Sequence, residues 1–139
     1  MERLRPAIPE TDPSAGDVAL PPLMTRPWRD IQETYESRLQ VNPQLQSMVR
    51  FVEQVRGCQL SRLHAWTSMN DLYIVQQAVS YPYYGPKLLV SPKPDGNIEL
   101  RYIDSHIEKK QWRRLLPEDL AFARLRKFTD ELRWFPHIS

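Results

Sequence analysis

The chain has 139 residues, 41% of them hydrophobic and 26% charged, with a formal net charge of +2. This length suits one hydrophobic core, since domains usually take roughly 100–200 residues, and the composition excludes wholesale disorder. The single cysteine, Cys58, excludes an intramolecular disulfide framework and a cysteine-built zinc site within one chain.

Residues 1–24 carry five of the thirteen prolines, no aromatic residue and no period of 2 or 3.6. They read as a disordered proline-rich arm ahead of a single domain over 25–139. The Leu20 to Met24 end, with Pro21 and Pro22 between apolar residues, is suited to lying extended against that domain as polyproline II. No apolar run in residues 1–26 has the length of a signal peptide or membrane helix, so the expectation is a cytoplasmic protein with no membrane partner.

Beyond the arm, Thr25 is a candidate helix cap, with Pro27 in the first turn and Trp28, Ile31, Tyr35 and Leu39 at spacings of three and four. Asn42-Pro43 interrupts this helix and starts a second, on which Leu45, Met48, Val49, Val52 and Val55 form a stripe. Gly57 is expected to stop it in a left-handed conformation. Strand signals follow at Leu60 to Thr67 and Leu72 to Gln77, on either side of the turn-forming Ser68 to Asp71 cluster. A clearer hairpin joins Lys87 to Pro92 and Ile98 to Asp104 through Pro94-Asp95-Gly96-Asn97.

Ser105-His106-Ile107-Glu108 matches a capping box and predicts a short helix through Arg114. A last helix from Pro117 to about Phe135 places Ala121, Leu125, Phe128, Leu132 and Phe135 along one side. The expected fold class is therefore α+β, with N-terminal helices, an antiparallel sheet of about four strands, and a C-terminal amphipathic helix packed on the sheet.

Candidate chemistry is sparse. His64, His106 and His137 fall in different elements and form no i, i+4 pair, so no metal site is expected. Four scattered glycines allow no phosphate loop, and no Gly-x-Ser-x-Gly elbow occurs, so no cofactor and no common catalytic signature is expected. His106 beside Asp104 or Glu108 is the one pairing suited to general base chemistry; its alternative is a surface histidine in a turn. Cys58 follows a helix rather than preceding one and reads as a small buried residue.

Two surfaces suit binding. The segment Tyr81-Pro82-Tyr83-Tyr84-Gly85-Pro86 is too aromatic for an ordinary solvated loop; Tyr81, Tyr83 and Tyr84 either contact a partner or fold over one end of the sheet. Lys109, Lys110, Trp112, Arg113 and Arg114 form the densest basic and aromatic cluster. It is suited to nucleic-acid phosphates and bases, unless Trp112 is a core anchor with solvated neighbours. The mild basic excess of the chain also lies here: residues 105–139 hold eight basic and five acidic side chains, and residues 27–104 eight of each.

The order helix, antiparallel strands, helix is similar to that of double-stranded RNA-binding domains, and also of many secretion chaperones and immunity proteins. Where the RNA-binding family's last helix opens on lysines, this one opens on Pro117-Glu118-Asp119. The expectation is a small non-enzymatic binding domain whose partner is another protein, or a second copy, held by the tyrosine loop. RNA at the basic cluster is the alternative, and a small enzyme the third reading.

Overall fold

A computed structural model describes residues 22–104 and 111–135. Three α-helices, α1 (Trp28–Glu36), α2 (Gln46–Arg56) and α3 (Glu118–Glu131), accompany five strands: β1 (His64–Ser68), β2 (Asp71–Val75), β3 (Lys87–Pro92), β4 (Ile98–Ile103) and β5 (Trp112–Leu116). The fold is α+β. The sheet is an antiparallel meander in the order β1-β2-β3-β4-β5, with five strands rather than four.

The fifth strand takes the last three residues, 112–114, of the helix expected from Ser105 to Arg114; residues 105–110 lie outside the described residues. Its backbone pairs with β4 from Tyr102↔Trp112 to Ile98↔Leu116. Trp112, Arg114 and Leu116 alternate with Arg113 and Leu115, a period of 2 that a capping box upstream does not override.

Strand alternation gives the sheet two different faces. Ala65, Leu72, Ile74, Leu88, Val90, Leu100 and Tyr102 point one way and are buried in a single core with the helices. The expected helix stripes supply the other half: Trp28, Ile31 and Tyr35 from α1, and Met48, Val49, Val52 and Val55 from α2, are all buried. Phe51 and Phe122 meet edge to face at 6.2 Å where α2 touches α3. Arg50 of α2 also makes a bidentate pair with Glu118 in the first turn of α3 and holds that carboxyl below the usual range.

Helix boundaries depart from the sequence reading for local reasons. Thr25 does not cap α1, because Arg26 still lies extended in a bridge to Ala65, and the cap position falls on Pro27. Gly57 has φ −83°, not a left-handed value; α2 stops because Cys58 turns extended. The stretch before β1 is a 3-10 turn at Gln59–Arg62, so the strand begins only at His64. α3 ends at Glu131 rather than near Phe135. There Arg133 takes φ 59°, while the Trp134 N–H donates to the Thr129 carbonyl (3.0 Å) and the Arg133 N–H to the Asp130 carbonyl (3.0 Å).

The β1–β2 turn is tied to α1. The Tyr35 hydroxyl donates to the Asn70 carbonyl (3.0 Å), and Arg38 donates to the Met69 carbonyl and to Asn70 Oδ1. Met69 itself is 85% exposed and sits at φ 57°, a region in which an L side chain costs about 1–2 kcal/mol. Met69→Gly is therefore expected to stabilise the fold by about 1 kcal/mol. Urea unfolding of the two proteins measures the difference, and a variant less stable than the parent would contradict the account.

Candidate functional site

The face of the sheet turned away from the helices carries an aromatic cluster. Trp66 of β1 lies opposite Tyr73 of β2, and the two rings stack in parallel with centroids 5.0 Å apart and planes 6° from coincidence. Tyr83, from the loop between β2 and β3, meets Trp66 edge-on at 6.4 Å and 84°. These rings with Met24, Ser68, Tyr81, Pro82 and Tyr84 line a groove of about 250 Å³. Tyr81 and Tyr84 are 75% and 70% exposed.

Local chemistry places Tyr83. The Tyr81–Pro82 peptide is cis, and the Tyr83 hydroxyl donates to the Pro86 carbonyl at 3.0 Å, closing the loop on itself. Gly85 lies directly beneath the ring: a Cβ there would fall 2.6 Å from Tyr83 Cζ and 2.9 Å from Cε1, closer than carbon atoms approach. The Lys87 ammonium sits 5.8 Å from the centre of the same ring. Burial, and then the charge of Asp104, push the Tyr83 hydroxyl above its ordinary pKa. Met24 reaches the groove because its N–H donates to the Val79 carbonyl (2.8 Å) and Leu23 bridges Ser80.

Asp104 is buried at the end of β4, where it accepts a hydrogen bond from the Tyr102 hydroxyl (3.2 Å) while its own N–H donates to Gln111 Oε1 (3.0 Å). Burial first, and the neighbouring carboxylate second, push Tyr102 up to about 12. His106 and Glu108, its proposed catalytic companions, lie outside the described residues, as does His137. His64 is half-buried at the start of β1, and no group of three metal-ligating side chains occurs among the described residues. Cys58 is half-buried, its thiol 3.6 Å from the Val55 carbonyl.

The basic cluster is divided by the strand. Lys109 and Lys110 are outside the described residues. Trp112 turns toward α3, its ring 3.9 Å from that of Phe128, and its indole N–H is buried with no partner among the described residues. Arg114 shares that side, 5.8 Å from the indole, and with Arg124, Glu131 and Phe128 completes a cleft of about 120 Å³. Arg113 points to the opposite face. There it pairs with Glu99, which the Lys93 ammonium also approaches at 3.5 Å. The helical arrangement, two adjacent cationic rows, is thus replaced by one arginine per face.

The tyrosine loop was legible as a special segment; its partners Trp66 and Tyr73 were not singled out. Their signal was present, since a turn at Met69-Asn70 between the two predicted strands sets residues 66 and 73 opposite one another. No family model, no curated protein and no solved structure matches the chain. The site therefore rests on its own geometry.

Two outcomes follow. Gly85→Ala is expected to drive the Tyr83 ring off Trp66 and reduce the near-UV circular dichroism of the coupled aromatics while leaving the far-UV spectrum intact; an unchanged near-UV signal would contradict the packing. Glu99 is held below the ordinary carboxylate value of 4.5 although desolvation by burial pushes the other way, because the Arg113 hydrogen bond and the Lys93 charge outweigh it. The unfolded state therefore takes up the proton first, and this stabilisation is lost as the pH falls below 4.5 and through the lowered value. Glu99→Gln should flatten that acid limb in pH-dependent urea melts.

Proposed function

We propose that the chain is a cytoplasmic, non-enzymatic binding domain that takes an extended segment of a protein partner into the groove between the Trp66–Tyr73 stack and the Tyr81–Tyr84 loop. The observation that carries this reading is the combination of a fixed aromatic floor with two tyrosines left largely in water at its rim. Aromatic rings offer large contact area at low entropic cost, and the exposed ones are groups of the kind that dominate interface energetics. The lone half-buried Cys58 suits a reducing compartment, and no helix among the described residues is long and apolar enough to cross a membrane.

A second reading has one observation in its favour. The cross-strand row on the same face runs Trp66, Tyr73, Leu89, Arg101, Arg113, aromatic at one end and cationic at the other. Arg101 is exposed and has no ion-pair partner among the described residues. Such a row suits a single-stranded nucleic acid, with bases stacked on rings and phosphates on guanidinium groups.

Affinity capture from a lysate with the parent chain and with Tyr81→Ala/Tyr84→Ala separates the readings. The protein-binding reading expects a partner that the double variant binds at least about thirtyfold more weakly, the scale of a hot-spot loss. Recovery of the same proteins by both baits overturns it. Salt-dependent binding of a mixed-sequence RNA that Arg101→Glu abolishes would install the second reading in its place.

A further inference from the structure

We infer that the groove is built for a proline-rich segment in polyproline II conformation, and that its resident occupant is this chain's own Arg3-Leu4-Arg5-Pro6-Ala7-Ile8-Pro9. The inference rests on the protein-binding reading of the groove and names the ligand. Polyproline II segments dock in grooves lined by aromatic rings because proline rings fit between them and the helix has little entropy to lose. This groove offers Trp66, Tyr73, Tyr83 and the rim pair Tyr81 and Tyr84, with only Met24, Ser68 and Pro82 besides.

The sequence of the arm matches that surface. Polyproline II has three residues per turn, so Arg3, Pro6 and Pro9 fall on one edge, with the prolines about 9 Å apart. Asp71 is the register partner of groove-lining Ser68, so a carboxylate stands in the strand turn beside the groove, where its charge also reaches the buried Tyr35 hydroxyl on the helix side. Of the other prolines before the domain, Pro13 stands alone and Pro21-Pro22 adjoin Met24, so Pro6-x-x-Pro9 is the spaced pair in the arm.

Tethering does the rest. The described chain begins at Pro22, next to Met24 in the groove, and thirteen positions separate Pro22 from Pro9. A random coil of that length spans about 20 Å on average, enough to reach back over the site at an effective concentration near millimolar. A weak ligand is held at such a concentration, and a partner must displace it. The arm thereby sets the threshold for binding.

The test titrates full-length ¹⁵N-labelled chains with a synthetic peptide of residues 1–12, following the Trp66 indole and Tyr81 to Gly85 amide signals. Pro6→Ala/Pro9→Ala should bind the peptide about tenfold more tightly than the parent, because its own arm no longer competes, and adding Tyr81→Ala/Tyr84→Ala should abolish binding. Equal affinities in parent and proline variant would overturn the arm as occupant while leaving the groove a peptide site. No groove shifts in any chain at millimolar peptide would overturn the proline-rich ligand class; the lysate capture above then still decides the broader reading. A dimer in sedimentation that the proline substitutions dissolve would replace the intramolecular occupant with a neighbouring copy's arm.

Discussion

Three short helices cover one face of a five-stranded meander, and that one-sided coverage governs what the rest of the chain can do. Leu72, Ile74, Leu88, Val90 and Leu100 bind the sheet to Ile31, Tyr35, Met48 and Val52 in one core, and the described residues hold no further α-helix with which to cover the reverse face. Large apolar side chains on that reverse face must cover one another or meet a partner. Trp66 and Tyr73 do the former by stacking, and the loop between β2 and β3 folds Tyr83 against them. The groove is what remains where this self-coverage ends.

The sequence was most legible where periodicity was long and unbroken. The stripes of α1 and α2, the β3–β4 hairpin and the burial of Ala121 and Leu125 on α3 could all be read from spacing, because each repeats over two turns or pairs across a turn with Gly96 at φ 88°. Short elements were less legible. The five residues of β5 hold about two repeats of a strand period and fewer than about one and a half helical turns, and a local capping box pointed to helix; the hydrogen bonds that decide for strand come from β4, a dozen residues earlier. Cross-strand neighbours such as Trp66 and Tyr73 depend likewise on a register that becomes fixed only when the Met69-Asn70 turn is located.

The same misreading altered the chemistry assigned to the basic cluster. On a helix, Arg113 and Arg114 would sit in adjoining rows; on a strand they belong to different sides of the sheet. Arg113 neutralises the buried carboxylate of Glu99, whereas Arg114 borders an aromatic cleft against α3. One secondary-structure assignment thus separates a phosphate-binding patch from two unrelated local tasks. For the tyrosine loop the outcome differs, since its packing does not depend on helix or strand periodicity but on Gly85 leaving room for a ring.

Consecutive arginines on β5 also bear on how the molecule behaves in a crowd. β1 has Arg26 bridged at Ala65, but β5 is the last strand of the sheet and, among the described residues, pairs only with β4. An open strand is a template for uncontrolled growth by addition of like strands. Here a second copy approaching antiparallel would bring guanidinium groups together at the seam, with Glu99, the carboxylate paired to Arg113, already engaged. Repulsion of that kind acts as a gatekeeper against fibril-like stacking.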